Sequence, residues 1–233
     1  MIYIKKNSPP KKFVEFVQKN KKAHFKAHFD DMPSDVKQIL RESLLKEQGY
    51  LCAYCMSRIN IEDKNTEQNT TKNKILNKIE HYVPRNSENE LDYKNLLAVC
   101  GGNSFGNEEK HQHCDTKKGN KTLKINPQNK YHISQISYKP DGTIYSKNKE
   151  FDDDLNKVLN LNDDEGCLKQ RRKEALDTLK SEIHKIYKDK TATLNFLKKT
   201  LNFYTSLNEK GELQPYCGIL IEYLEKKINN WHK

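Results

Sequence analysis

Four cysteines enclose a Glu-His pair between residues 52 and 119, and these types at this spacing point to metal chemistry. Cys52-Ala53-Tyr54-Cys55 opens the segment, and Ile79-Glu80-His81-Tyr82-Val83-Pro84 lies in its middle. Asn95-Leu96-Leu97-Ala98-Val99-Cys100 follows, and Cys114-Asp115-Thr116-Lys117-Lys118-Gly119 closes it. Zinc takes four soft ligands at tetrahedral corners, and two cysteine turns facing each other supply them. Cys52 and Cys55 form one such turn; Cys100 and Cys114 form the second pair across a longer loop. His111 and His113 lie in that loop and are alternative ligands for one thiol position. Cys114 is preferred because it opens the helix that carries the next motif.

Glu80 and His81 are suited to hydrolysis of a phosphodiester. An imidazole is the side chain best poised to take a proton near neutral pH, and a neighbouring carboxylate can hold a divalent cation. Adjacent strand residues point to opposite faces, so a bend is needed to aim both at one atom. Pro84 is consistent with such a bend. Asp115, at a helix start, is read either as a carboxylate favoured by the helix dipole or as a second cation ligand. Asn95 is a turn residue or an amide that bridges loop backbone and fixes the segment bearing His81. Lys117 and Lys118 are within reach of a phosphate in principle, but lysine pairs are usually a solvated face.

These residues need a scaffold. A helix is expected over 11–22, after Ser8-Pro9-Pro10, and a second from Met32-Pro33-Ser34-Asp35, with Val36, Ile39, Leu40, Leu44 and Leu45 on one face and Gly49 as its stop. Residues 60–74 read as a polar loop, 75–83 and 95–100 as short strands, and 101–113 as a long loop. A short helix follows from Cys114 to Gly119-Asn120. A hairpin and a helix held between cysteine turns are therefore the central unit. Strands are expected at 131–138 and 143–146, joined at Asp141-Gly142, then helices at 152–159, 163–188, 190–205 and 213–231. The fold class is α+β, mostly helical overall. Its parts are a helical segment over 1–50, a zinc-bound ββα core over 51–125, and a mainly helical region over 126–233 suited to partner docking.

Composition narrows the partners. The apolar fraction is 34% and mean hydropathy is −1.00, so a thin core is expected. In residues 52–119, where large apolar side chains are few and each offers about 1.5–3 kcal/mol, a structural zinc worth roughly 10–16 kcal/mol is expected to decide folding. Net charge is +10, which favours polyanions, although a lysine-rich composition alone gives the same sign. Residues 1–50 carry 11 Lys/Arg against 6 Asp/Glu, residues 51–119 carry 10 against 10, and residues 120–233 carry 21 against 16. The central module is thus neutral, and its attraction for phosphates must come from the flanks, a bound cation or a partner. No apolar run approaches a membrane span, and Met1-Ile2-Tyr3-Ile4-Lys5-Lys6 lacks the apolar stretch of a secretory signal. A cytoplasmic protein is expected, where clustered cysteines read as metal ligands before disulfides. Cys167 and Cys217, far from the cluster, are expected to be ordinary packing thiols.

The order Cys-x-x-Cys, Glu-His-x-x-Pro, Asn-Leu-Leu, Cys, then His-Cys-Asp-x-x-Lys-Gly resembles the HNH (ββα-metal) endonucleases. It is similar in particular to the PtuB-type HNH nucleases of Septu and retron-associated anti-phage defence systems, which pair with a PtuA-type ATPase. The opening Ile-x-Lys-x-x-x-Pro-Pro and Leu159-Asn160-Leu161-Asn162 fit that group as well. The resemblance implies His81 as the base that activates water and Asn95 as the middle motif residue. It implies Glu80 and Asp115 as ligands of a catalytic Mg²⁺ or Mn²⁺, beside the structural Zn²⁺ on Cys52, Cys55, Cys100 and Cys114. Asp115 departs from the His or Asn common at the last motif position, and a shifted metal preference is implied. A nucleic-acid substrate and an ATPase partner are the implied associations. A non-catalytic zinc-binding adaptor that docks nucleic acid or protein would keep the cysteines but have no use for Glu80, His81 and Asp115 together.

Overall fold

Among the described residues Leu96-Leu97-Ala98-Val99 is the best-buried strand, and the architecture around it explains why. The computed structural model describes residues 1–22, 28–59, 77–103, 108–163, 167–186 and 190–231. The loop expected over 60–74 and the start of the strand expected at 75 lie outside them. Helix α1 (Lys11–Lys22) and helix α2 (Ser34–Glu47) precede a hairpin of β1 (Lys78–His81) and β2 (Leu96–Val99). The strands are antiparallel, with Glu80 opposite Leu97 and His81 opposite Leu96. The strand β2 packs on α2, which brings Leu40, Leu44 and Leu45, all fully buried, against it. A two-stranded sheet leaves one edge of β2 unpaired, and unpaired buried amides are costly. Gln48 covers that edge: its side-chain amide exchanges two 2.8 Å bonds with Ala98 N and O. Ala53 N adds a third bond to Ala98 O at 3.1 Å. The central segment therefore holds more apolar core than its composition suggests, because α2 supplies the other half.

Beyond the hairpin come α3 (Cys114–Lys118), α4 (Lys130–Ser134), the antiparallel pair β3 (Ile136–Tyr138) and β4 (Ile144–Ser146), and α5 (Lys149–Asp153), which runs into one π-helical turn over Asp154–Val158. Helices α6 (Leu168–Ile186), α7 (Lys190–Thr205) and α8 (Cys217–Asn229) complete the chain. The chain is α+β, and about half of its described residues are helical. Two differences from the expected elements share one cause. Residues 130–134 are helical rather than strand because Asn129 caps them, accepting from Tyr131 N and His132 N. The helix expected from 152 starts at 149 because Asn148 caps Glu150 N and Phe151 N. At the other helices the backbone delays the start: Cys167 and Tyr216 take φ of 61° and 57°, immediately before α6 and α8.

The N-terminal helices, the hairpin, the cysteine turns and α5 share one apolar core. Leu176, Leu179, Ile183, Leu197, Ile219, Leu220 and Leu224 form a second core among α6, α7 and α8. Cys217 is buried in a small third cluster, as expected of a packing thiol, whereas Cys167 is exposed. Among the described residues no helix is long and apolar enough to cross a membrane.

Candidate metal centre and adjoining cleft

The first cysteine turn is closed at its base by a bridge between Leu51 and Arg58. Inside it, Cys52 N donates to Ser57 O and Met56 N to Cys52 O, with Met56 at a φ of 61°. The wide gap between Cys100 and Cys114 is closed by the loop folding back on itself. His113 N donates to Gly102 O at 3.1 Å, and Asn103 Nδ2 to His111 O at 3.2 Å. Gly102 is required there: its φ is +58°, and a Cβ would lie 2.2 Å from His113 O. Cys114 N is held by Leu159 O at 2.9 Å.

The outcome is four buried thiols whose sulfurs all lie within 4.8 Å of one another. The Cys52–Cys114 and Cys55–Cys100 separations are 3.8 and 3.7 Å. A disulfide would need about 2.05 Å. Four sulfurs about 2.3 Å from one zinc are about 3.8 Å apart along each tetrahedral edge. The donor set therefore fits a structural metal such as zinc. Hydrogen bonds from Cys100, Cys114 and Cys52 hold Cys55 well below the usual thiol value, while burial pushes Cys114 well above it. A metal bound by the four sulfurs would release the protons they carry. Of the two alternative ligands, His113 is buried with Nδ1 3.2 Å from Cys114 Sγ, a neighbour of the cluster. His111 turns away and pairs with Asp163 at 3.1 Å.

Helix α3 starts at this cluster and ends against β1, so one short helix links the cysteines to Glu80. The two elements border a cleft of about 490 Å³ lined by Phe29, Lys78, Glu80, His81, Arg85, Asp115 and Lys118, among others. Glu80 is buried. Its Oε1 accepts from Tyr54 Oη at 3.1 Å and pairs with Lys118 Nζ at 2.7 Å. The Asp115 carboxylate is within hydrogen-bonding reach. Burial first, then Asp115, pushes Glu80 up to about 8, against the opposing pull of Lys118. Asp115 Oδ2 lies 3.5 Å from Lys78 Nζ, which also donates to Thr116 Oγ1 at 2.9 Å. Two carboxylates this close are a donor pair for a hard cation.

His81 follows strand alternation and points away from Glu80. Its ring meets Phe29 edge-on at 4.8 Å, and its Nε2 lies 3.0 Å from Glu90 O. A carbonyl can only accept, so the proton sits on Nε2 and Nδ1 keeps its lone pair. Burial lowers the His81 pKa, which keeps the ring neutral. Asn95, buried at the end of a 3₁₀ turn, brackets Val83: its Oδ1 accepts from Val83 N at 2.7 Å and its Nδ2 donates to Val83 O at 3.0 Å. The chain leaving His81 is thus pinned before Pro84. Replacing Asn95 with Ala should remove both hydrogen bonds to the Val83 backbone, each worth about 0.5–1.5 kcal/mol, and lower stability by about 1–3 kcal/mol; chemical denaturation measures it, and an Asn95→Asp variant should recover only the bond from Val83 N.

The structure corrects one expectation: Lys118 is not solvated but is 2% exposed and spans from α3 to Glu80 and the carbonyl of His81. Helical spacing carries the signal, since Lys118 lies four residues after the buried Cys114 and three after Asp115. Lys78 had a signal too, because strand alternation places it on the face of Glu80. Tyr54, inside the first cysteine turn, and Phe29 and Glu90, from distant segments, had none. No protein-family model matches this chain, and no curated protein matches it.

Proposed function

We propose that the chain is a metal-dependent endonuclease of the HNH type, hydrolysing nucleic-acid phosphodiester bonds as the effector of an anti-phage defence complex. The observation that carries this reading is that Glu80, His81 and Asp115 line one cleft that adjoins a four-cysteine cluster. Cys52, Cys55, Cys100 and Cys114 would hold the structural zinc, and Cys114, as the first residue of α3, would thereby anchor the helix that carries Asp115 and Lys118 to Glu80. Glu80 and Asp115 are the residues that would hold Mg²⁺ or Mn²⁺, which as a Lewis acid would offset charge developing on the phosphate. His81, neutral and held through Nε2, takes the proton from the attacking water at Nδ1. Asn95 keeps the His81 segment in register. Arg85, lining the same cleft, is tied to Asp30 at 2.9 Å and is available to a phosphate only on leaving it.

Nicking of supercoiled plasmid and cleavage of RNA by zinc-loaded protein, with and without Mg²⁺ or Mn²⁺, test this reading. Cation-dependent cleavage lost in Glu80→Gln and His81→Ala is the expected result; cleavage that persists in EDTA or in both variants would overturn it. Asp115→Ala should raise the half-saturating Mg²⁺ concentration by at least about tenfold, since even indirect partners of metal ligands are worth 10–100-fold. An unchanged Mg²⁺ titration would reduce Asp115 to a helix-start carboxylate.

The neutral central module also supports an ATPase partner of the PtuA type, engaged through the helical region after Asp152. A module with equal numbers of acidic and basic residues has little electrostatic pull on nucleic acid by itself. Co-expression with such an ATPase should give one peak in size-exclusion chromatography and raise the cleavage rate; separate elution at micromolar concentration with equal activity alone would argue against the complex.

A further inference from the structure

The cleft carries an electrostatic feature that the proposed chemistry does not require. Each of its two carboxylates has its own lysine: Lys118 Nζ lies 2.7 Å from Glu80, and Lys78 Nζ lies 3.5 Å from Asp115. When both carboxylates are ionised, the two pairs cancel. Among the described residues, the remaining cation that lines the cleft is Arg85, which is already matched by Asp30. The lysines are anchored as well as close. Lys118 has a side chain only 1% exposed and also reaches the carbonyls of His81 and Gly119. Lys78 is held by Thr116 Oγ1, and Thr116 Oγ1 in turn donates to Gly101 O beside Cys100. A lysine 2% exposed at the end of a five-residue helix is an expensive placement for a group that could have stayed in water.

We propose that Lys78 and Lys118 are resident counter-ions of the cation site, positioning residues that keep the free cleft from binding a divalent cation tightly. This rests on the reading of Glu80 and Asp115 as cation ligands. A divalent ion entering between two matched ion pairs is repelled by both ammonium groups, and it leaves a centre of net charge +2. An anionic phosphodiester, with its single negative charge, offsets half of it, so the cleft is at its best when cation and substrate are present together. The free protein is thereby kept from holding a competent cation in the absence of nucleic acid.

Direct Mn²⁺ binding, measured from the electron paramagnetic resonance signal of the free ion, tests this without reference to activity. The zinc-loaded proteins compared are wild type, Lys78→Met, Lys118→Met and Glu80→Gln. Each lysine variant should bind Mn²⁺ about tenfold or more tightly than wild type, because one repelling charge a few ångströms away is gone. The proton that competes for the same carboxylates gains only half as much as a divalent ion, so the sign survives that competition. Glu80→Gln should bind more weakly than wild type. Lys78 is partly exposed, so its variant stays informative if the buried Lys118→Met fails to fold. Affinities in the folded lysine variants equal to or weaker than wild type, with Glu80→Gln still weakened, would overturn the counter-ion role alone. Equal affinity in Glu80→Gln and wild type would instead remove the cation site on which the reading of the cleft depends.

Discussion

Replacing Cys52 with Ser should cost the chain its metal, helix α3 and the cleft in one step. The four sulfurs are buried and spaced for tetrahedral coordination, so losing one leaves three thiols around an incomplete site. A structural zinc is worth roughly 10–16 kcal/mol of apparent binding energy, against about 2–5 kcal/mol for an apolar truncation such as Leu44→Ala. The loss should nevertheless be local at first. Strand β2 is backed by α2, and α6–α8 have a core of their own, so both retain support. The five-residue α3 has neither: it is held at its ends by Cys114 and Lys118 and between them by polar contacts of Asp115 and Thr116 with Lys78 and Gly101. Hydrogen exchange should therefore show loss of protection over 51–59 and 108–119, with α6 and α8 preserved, and elemental analysis should fall from one zinc per chain to none. Cys167→Ser, at an exposed site, should change neither. A Cys52→Ser protein that keeps zinc and the protection of α3 would show that these thiols are not the metal ligands.

What the sequence could reveal was decided by the range of the interactions. The cysteine cluster was legible because its chemistry is narrow: in a chain read as cytoplasmic, two split pairs have few uses besides metal. The hairpin and α3 were legible from short apolar runs and from Gly119, which ends the helix at a φ of +53°. The caps at Asn129 and Asn148 were missed because an Asn before a mixed segment reads equally as turn or cap until its amide partners are known. The burial of β2 was underestimated because half of its core comes from α2, some 50 residues earlier. Glu90 and Phe29 were out of reach for the same reason. Glu90 accepts from Phe29 N at 3.0 Å and from His28 Nδ1 at 2.8 Å, and this holds the Phe29 ring on His81 across about 60 residues of sequence. Lys118 was misread for another reason. Lysine pairs are usually solvated, and only the helical register from Cys114 argued otherwise.

His81→Ala should abolish cleavage while leaving zinc content and thermal stability close to wild type. The ring is partly exposed, and among the described residues its one hydrogen bond goes to the Glu90 carbonyl. Little folding energy therefore depends on it, in contrast to Cys52. Its chemical role is larger: a positioned general base contributes about 10²–10⁴-fold to rate, or about 3–5 kcal/mol of barrier at 1.36 kcal/mol per tenfold. Truncation opens a space the size of an imidazole beside Phe29, so added imidazole should restore part of the cleavage by taking the proton at the same place. That rescue separates a lost base from a disturbed fold, which free imidazole cannot repair. Phe29→Ala gives the complementary measurement. It leaves the base in place but removes the ring that orients it, so the turnover rate should fall by less than in His81→Ala, with no response to imidazole. A His81→Ala protein that cuts at the wild-type rate would take His81 out of the mechanism and leave the Glu90 carbonyl and Phe29 holding a ring with no proton to move.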